Sequence, residues 1–355
     1  MILSAADPAA IRAAADAIRA GSLIGLPTET VYGLGADADN AAAVAQVFAT
    51  KGRPADHPLI VHVSDHDGGA SGVAHFAAAV PDFARNLMAA FWPGALTLIL
   101  PRRPGIGTAA AGGQDSIGLR CPAHPAAQAV LHALRATGDA AAPAQPVVWG
   151  IAAPSANRFG RVSPTTAAHV QDELGTDLLV LDGGPCNLGI ESTIIDCTRG
   201  APVLLRPGTL AREQIERTCG CRVLSKEERN NEILRGLTAP KASGTLESHY
   251  APAARVRLMD APALQAAVDM LGSVMLPGGS QATASIAIYA RTPLQKVPLA
   301  VLLRRMPDDA QATAHQLFAV LRALDATGVK LIWVETPPES PEWEGVRDRL
   351  QRAAA

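Results

Sequence analysis

Short apolar runs alternate with helix-like segments along most of the chain, and this alternation constrains the fold more than any other feature. The segments 22–26 (SLIGL), 58–63 (PLIVHV) and 95–100 (ALTLIL) have the length and composition of buried strands. Helix-start signals, such as Asp7-Pro8, and helix-stop glycines separate several of these strands. Other strands follow one another without a helix between them. The pattern therefore predicts an α/β protein with a mixed rather than a purely parallel sheet.

A polar stretch separates this region from a second, shorter alternation of strands and helices. Residues 222–254 contain glycine and two prolines and show little apolar periodicity, which is typical of an interdomain linker. Beyond them, VRLMD, SIAIYA, PLAVLL and KLIWVE alternate with helical stretches, as in a small parallel sheet. We therefore expect one domain over 1–221, a linker over 222–254 and a second domain over 255–355.

Charge and cysteine usage restrict the partners and the compartment. The formal net charge is -2, so a polyanion would have to bind a local basic patch. Five cysteines without a CxxC pair argue for a reducing, cytoplasmic setting and against a disulfide framework or a zinc site. The first residues lack a basic segment followed by an apolar core, and no run of 18 apolar residues occurs. We expect a cytoplasmic protein without a signal peptide, a membrane span or a metal site of its own.

A glycine pattern between the first predicted strand and the next helix has two readings. Gly33-x-Gly35-x-x-Ala38 fits a relaxed dinucleotide fingerprint. In that fingerprint the first glycine follows the strand almost at once, whereas six residues, PTETVY, intervene here. No GxxxxGK[ST] phosphate loop occurs either. We therefore interpret these glycines as relaxing a turn into the following helix.

Cations and hydroxyl groups recur at the predicted ends of strands and helices. Each has a simple alternative role as a cap, a turn residue or a surface cation; Ser163, for example, is interpreted as a helix N-cap. A single histidine in a strand, such as His62, is more often structural than ligand-binding. Together, however, cations at strand ends suit a ligand with several negative charges, because open α/β sheets bind ligands there. The residues are Lys51, Arg53, His62, Ser116, Arg120, Ser155, Asn157, Ser163, Ser192 and Arg206.

Ten short motifs give the chain a resemblance to one family. They are PTETVYGLG, Lys51-Gly52-Arg53, HPLIVHV, WPGALTLIL, GLRCPAHP, APSAN, SPT, ESTIID, LLRPG and SHYAP. In this order they resemble the two-domain L-threonylcarbamoyladenylate (threonylcarbamoyl-AMP) synthases. The resemblance implies a twisted open mixed α/β sheet with a concave charged face, followed by a smaller Rossmann-like α/β domain. It also implies a nucleotidyltransferase that joins L-threonine, bicarbonate or CO2 and ATP, and releases pyrophosphate. A downstream tRNA threonylcarbamoyl transferase complex would then use the product to make threonylcarbamoyladenosine in tRNA.

The same resemblance implies roles for individual residues. Thr28, His62, Arg120 and Ser192 would hold L-threonine, with Arg120 paired to its carboxylate, and the Thr28 stretch would form a neutral wall. Lys51 and Arg53 would be the catalytic cations. Mg2+ would accompany ATP, and Tyr250 would form part of a lid. The residues expected to bind ATP are Lys51, Arg53, Ser116, Ser155, Asn157, Ser163, Arg206 and Tyr250.

Two other functions are compatible with parts of the pattern. A concave basic surface could bind double-stranded RNA through its phosphates, but the near-zero net charge favours the enzyme and leaves only a weak RNA contact among the expected partners. A carbamoyl-transfer protein would share the same module. Such proteins carry Cys-rich and acylphosphatase parts, which this chain lacks.

Overall fold

The computed structural model describes residues 1–135, 146–225, 228, 240–244, 249–274 and 285–355, and it divides the chain into two compact units. The first unit comprises Met1–Phe159 and Ser163–Thr245, and the second comprises Gly160–Val162 and Leu246–Ala355. Much of the predicted linker lies outside the described residues. Of its described part, residues 222–225, 228 and 240–244 belong to the first unit and residues 249–254 to the second.

The first unit is built on one sheet of eleven strands among its described residues, in the order β1-β8-β2-β3-β7-β4-β6-β5-β9-β10-β11. The strands are β1 (Ile2–Ser4), β2 (Ile24–Leu26), β3 (Gly33–Asp37), β4 (Ile60–His62), β5 (Leu96–Pro101), β6 (Ser116–Arg120), β7 (Ile151–Ala152), β8 (Leu179–Asp182), β9 (Thr193–Asp196), β10 (Val203–Arg206) and β11 (Leu224–Ser225). The sheet contains both parallel pairs, such as β4 with β6, and antiparallel pairs, such as β5 with β6. The predicted mixed sheet is therefore confirmed.

Seven helices of the described residues accompany this sheet. They are α1 (Pro8–Arg19), α2 (Ala41–Lys51), α3 (Ala70–Phe76), α4 (Asp82–Phe91), α5 (Pro125–Arg135), α6 (Ala167–Leu174) and α7 (Arg212–Cys219), and a short 3-10 helix spans His66–Gly69. One buried cluster contains Phe48, Phe76 and Leu87, and a second contains Ile18 and Leu131. These clusters fix the helices against the sheet and so hold the ends of its strands in place.

Local capping explains where two of these helices begin. The side chain of Asp7 accepts a hydrogen bond from the backbone N–H of Ala9, as the Asp-Pro signal predicts. Asn40 accepts from two backbone N–H groups at the start of α2, and this helix ends at Gly52 in the left-handed region, with φ 62°. The prediction that Ser163 caps a helix is wrong. Helix α6 is capped instead by Thr166, because the Ser163 hydroxyl donates to the Glu191 carboxylate.

The glycines of the PTETVYGLG motif belong to a strand, so the interpretation that they relax a turn is wrong. Strand β3 runs antiparallel to β2 and to β7. A Cβ atom on Gly35 would lie 2.9 Å from a methyl group of Ile151, and one on Gly33 would lie 3.0 Å from the Cβ atom of Ala153. Because residues 151–153 of the same chain pass this close, only glycine, which lacks a Cβ atom, fits at these two positions. Glycine is uncommon in strands, so the sequence did not indicate a strand here.

The second unit is a small parallel α/β domain, as the sequence predicts. Its four described strands are β12 (Arg255–Met259), β13 (Ile286–Ala290), β14 (Val301–Arg305) and β15 (Leu331–Glu335), in the order β12-β15-β13-β14. All three pairings are parallel. Its helices are α8 (Ala261–Val274), α9 (Ala310–Ala326) and α10 (Glu344–Ala354), with a 3-10 turn at Pro341–Trp343. Within the described parts of the whole chain, we find no helix with the length and hydropathy needed to cross a membrane.

Candidate active site

Three residues predicted to bind threonine lie at one edge of the large sheet. Strands β4 and β6 are parallel, and their last residues, His62 and Arg120, are register partners. Side chains at paired positions of parallel strands project from the same face of the sheet. Ser192 directly precedes β9, which starts beside β5, and the Arg120 side chain reaches the segment before β5 by donating from Nε to the carbonyl of Gly94 at 3.0 Å. The topology therefore places His62, Arg120 and Ser192 at neighbouring strand ends.

The Thr28 stretch contacts these strand ends through hydrogen bonds with Arg120. The Arg120 Nη1 donates to the hydroxyl of Thr30 at 2.8 Å, and that hydroxyl lies 2.9 Å from the hydroxyl of Thr28. Thr28 also donates to the carbonyl of Val31 at 2.6 Å, which fixes the turn. Thr28 and Arg120 are both buried, at 2% and 3% exposure.

The prediction that the Thr28 stretch is a neutral wall is wrong, because Glu29 contributes a buried charge. Its Oε1 lies 2.6 Å from Nη2 of Arg120, and the residue is 7% exposed. Burial acts to raise the pKa of Glu29, but the nearby Arg120 charge and its hydrogen bond outweigh burial and lower that pKa below its ordinary value. Glu29 is therefore an ionised carboxylate. Sequence reasoning missed it because the Arg120 partner becomes visible only after the strands are placed in the sheet.

Lys51 anchors the loop that follows β7. As the last residue of α2, it donates from Nζ to the carbonyl of Ser155 at 2.5 Å and to the carbonyl of Asn157. Burial, followed by the nearby Arg53 charge, lowers the pKa of Lys51 well below its usual value. The Asn157 amide in turn donates to the carbonyl of Arg158 at 2.7 Å. Lys51, Ser155 and Asn157 thus form one connected group.

Arg206 and Arg53 meet at Ser243, a residue of the predicted linker. Arg206 donates to the carbonyl of Ser243 at 3.0 Å, and Arg53 donates to the Ser243 hydroxyl at 3.3 Å. Arg206 also donates from Nε and Nη2 to the carbonyl of Ser192, at 3.1 and 2.9 Å. Arg53 further donates to the carbonyl of Pro58 at 2.9 Å. The two guanidinium groups therefore converge, and sequence reasoning missed Ser243 as the residue between them.

A hollow, partly open to solvent, lies beside Ser243. Its walls combine apolar side chains with hydroxyl and amide groups, and one wall is the segment 241–243. Lys241 holds this segment through an ion pair with Asp56 at 2.5 Å and a backbone N–H bond to Gln114 at 2.7 Å. The lining residues are Pro58, Leu59, Ile60, Thr97, Ile99, Gln114, Ser116, Gly118, Ile194, Lys241, Ala242 and Ser243.

Two further predicted ATP-binding residues have different environments. Ser163 is buried and donates to Glu191, a buried carboxylate in the first unit. Tyr250 belongs to the second unit, where its ring centroid lies 4.1 Å from that of His249 and 5.4 Å from that of Phe318. Its predicted role in a lid stays a prediction.

His62 has a buried, neutral imidazole. Burial and the neighbouring Arg120 charge lower its pKa from 6.5 to about 3. The Nδ1 atom of His62 is buried and has no hydrogen-bond partner among the described residues. A neutral ring with an unused nitrogen can accept from, or donate to, a ligand hydroxyl group.

We expect the lowered pKa of His62 to make stability depend on pH. Because the folded-state pKa lies below the unfolded value, stability is complete above about pH 6.5 and is lost as the pH falls toward 3. Between pH 7 and pH 5 the wild type should lose about 2 kcal/mol more unfolding free energy than His62→Gln. Denaturant unfolding at both pH values measures this difference. The exposed His315→Gln variant serves as the control and should follow the wild type; equal losses in the wild type and His62→Gln would contradict the assignment.

The first unit contains no metal-ligand cluster within its described residues, and the same holds for the second. No group of three or more His, Cys, Asp or Glu side chains is placed to hold a metal ion. All five cysteines are described and are free thiols, and the Cys219 and Cys221 sulfur atoms lie 3.5 Å apart.

Comparison with known proteins covers the whole chain. Residues 16–208 match the Sua5–YciO–YrdC family, described as "Telomere recombination", and residues 210–355 match "Threonylcarbamoyl-AMP synthase, C-terminal domain". A threonylcarbamoyl-AMP synthase of Pyrococcus abyssi is 35% identical over 97% of this chain and 94% of its own length. One of Bacillus subtilis is 35% identical over 99% of this chain and 94% of its own length.

A solved structure has the same fold over nearly the full length of the match. The crystal structure of P. abyssi Sua5 complexed with L-threonine has a TM-score of 0.81 at 33% sequence identity. The match covers 98% of this chain and 95% of that protein. The two-part α/β architecture predicted from the sequence is therefore that of a solved relative.

Proposed function

Because the chain belongs to the threonylcarbamoyl-AMP synthase family, we propose that it forms L-threonylcarbamoyl-AMP from L-threonine, bicarbonate and ATP, releasing pyrophosphate. The observation that carries this proposal is the grouping of buried cations in the first unit. Arg53 and Arg206 converge on Ser243, and Arg206 also holds the backbone of Ser192. Such a group of cations suits substrates that together carry a triphosphate and a carboxylate.

L-threonine binds, in this proposal, at the sheet edge that holds Arg120. The guanidinium supplies a fixed, planar donor for the α-carboxylate. The neutral His62, with its unused Nδ1, lies beside Arg120 and is suited to the threonine hydroxyl group. Thr28 and Ser192 would add hydroxyl groups to this position. The relative from P. abyssi was crystallised with L-threonine, which supports the choice of amino acid.

ATP binds, in this proposal, at the cations Lys51, Arg53 and Arg206 and in the adjoining hollow beside Ser243. Ser116 and the apolar side chains of the hollow would contact the nucleoside, and Lys51, Arg53 and Arg206 would hold the phosphates. Phosphate oxygens would replace Ser243 as the acceptor for Arg53 and Arg206, so segment 240–244 would have to shift. Ser155, Asn157 and Ser163 complete the proposed ATP-binding set of the first unit.

The reaction needs positioning more than a protein nucleophile. The threonine amine, as the free base, adds to CO2 and loses a proton to give a carbamate; with bicarbonate as the carbon source, water leaves. A carbamate oxygen then attacks the α-phosphorus of ATP as pyrophosphate leaves. Holding the carbamate against ATP can lower the barrier by roughly 7–11 kcal/mol. Lys51 and Arg53 would stabilise the charge that develops on the phosphate oxygens. The phosphates would favour the protonated form of Lys51, whose pKa is lowered while it is buried without them.

Mg2+ enters this proposal as part of the ATP substrate. The described residues include no cluster of carboxylates, cysteines or histidines that could hold the ion alone. Phosphate oxygens and water are the ligands that Mg2+ commonly keeps at nucleotide sites. We therefore assign the ion no protein ligand.

The product would be consumed by a tRNA threonylcarbamoyl transferase complex, in the modification of tRNA. The free thiols of all five cysteines support a cytoplasmic location for this work. RNA is a secondary partner in the proposal, with a weak contact only, because the net charge is -2.

Pyrophosphate release tests the proposed function. The protein is incubated with MgATP, L-threonine and bicarbonate, and each component is omitted in turn. We expect pyrophosphate only when threonine and a carbonate source are both present. Threonine-independent release of phosphate, or tight RNA binding with a steep salt dependence and no turnover, would overturn the proposal in favour of another activity.

A further inference from the structure

Glu29 is a buried charge for which the proposed function has no role. It is 7% exposed and lies 2.6 Å from Arg120. Both of its carboxylate oxygens are buried, and they contact the Arg120 guanidinium and the backbone amide of Ala123. Burial disfavours the charged form of Glu29, whereas Arg120 and, to a smaller extent, the backbone amide of Ala123 favour it. A carboxylate has about four lone-pair sites, so Glu29 keeps acceptor capacity beyond these contacts, and a donor of a ligand can bind there.

Arg120 has the capacity to bind Glu29 and a second carboxylate at the same time. A guanidinium has five N–H donors. Three of these donors in Arg120 are used, one each by Gly94, Thr30 and Glu29. Two donors are therefore left for a substrate, so a bound carboxylate does not need to displace Glu29.

We propose that Glu29 binds the α-ammonium group of L-threonine while Arg120 binds its α-carboxylate. This inference rests on the proposed function and adds the group that recognises the amine. A free α-amino acid carries one positive and one negative charge a few bonds apart, and the Glu29–Arg120 pair presents the opposite charges side by side. The pair therefore selects a zwitterion over a carboxylic acid that lacks the ammonium group.

The alternative is that Glu29 only neutralises Arg120. That role would affect stability and the binding of any carboxylate, but it would not distinguish an amino acid from a hydroxy acid. The compound 2,3-dihydroxybutanoate is a suitable probe, because a hydroxyl group replaces the ammonium of threonine while the carboxylate and side chain are kept.

The test compares the dissociation constants of threonine and 2,3-dihydroxybutanoate by calorimetry, for the full-length wild type and Glu29→Gln. A charge-assisted hydrogen bond corresponds to roughly ten- to hundredfold in affinity. We expect the wild type to prefer threonine by about that factor, and Glu29→Gln to reduce the preference to about threefold or less. ATP affinity should be unchanged. The exposed Glu213→Gln on α7 is the matched control and should keep the wild-type preference.

An unchanged preference for threonine in folded Glu29→Gln would overturn the inference. If that variant does not fold, Glu29→Met, which also removes the carboxylate, replaces it, and an unchanged preference there has the same meaning. Pyrophosphate release by the wild type is measured in parallel. If the wild type releases pyrophosphate but Glu29→Gln keeps the preference for threonine over 2,3-dihydroxybutanoate, only this inference is wrong. If the wild type releases no pyrophosphate, the proposed function is wrong.

Discussion

Arg120→Gln should reduce threonine-dependent pyrophosphate release by at least about a hundredfold. Arg120 is the last residue of β6, and its hydrogen bonds to Gly94 and Thr30 fix the position of the guanidinium. In our proposal this guanidinium binds the α-carboxylate of the substrate. A charged hydrogen bond, or a bidentate pair, accounts for a loss of this size. The rate is measured at saturating ATP over a range of threonine concentrations, and the apparent affinity for ATP should be nearly unchanged.

A double variant separates this loss from a loss of stability. Removing Arg120 alone leaves the Glu29 carboxylate buried without its cation, which can cost about 3–5 kcal/mol. The double variant Arg120→Gln with Glu29→Gln removes both charges and should recover most of that unfolding free energy. It should remain inactive, because neither charge of the substrate is bound. Activity close to wild type in the double variant would remove Arg120 from the threonine site.

Lys51→Met should lower ATP turnover by about a hundredfold or more. Methionine nearly keeps the volume of the side chain but removes the cation that we place on the phosphates. The carbonyls of Ser155 and Asn157 also lose their donor, at a cost of about 1–3 kcal/mol in unfolding free energy. Threonine affinity, measured by calorimetry in the absence of ATP, should change little.

An exposed lysine provides the control for this substitution. Lys330→Met alters a surface residue of the second unit and should leave turnover at the wild-type rate. A Lys51→Met protein that is folded and keeps the wild-type maximal rate and KM for ATP would exclude Lys51 from the catalytic centre.

The sequence predicted the parts of the fold that depend on local chemistry. Asp7 starts α1, as the Asp7-Pro8 signal predicts, because its side chain accepts a hydrogen bond from a free backbone N–H group of the first turn. The second unit has the predicted parallel sheet, because strands and helices alternate there. Strand β3 was missed because it contains Gly33 and Gly35. These glycines are needed since residues 151–153 pass close to them, and this contact exists only in the folded protein.

The cations at strand ends could likewise be found from the sequence, but their partners could not. Arg120 and Arg206 each follow a short apolar run, which marks the end of a strand. Glu29 lies 91 positions before Arg120, and Ser243 lies 37 positions after Arg206, so no local pattern links either pair. Their contacts depend on how the strands are ordered in the sheet and on where the chain returns after β11.

The product made from carbon-13 bicarbonate tests the central claim most directly. The full-length protein is incubated with MgATP, L-threonine and the labelled bicarbonate, and the adenylate fraction is analysed by mass spectrometry. We predict a threonylcarbamoyl-AMP that carries a single labelled carbon, formed in step with pyrophosphate. An adenylate without the label, such as threonyl-AMP, or ADP as the only nucleotide product, would contradict the account.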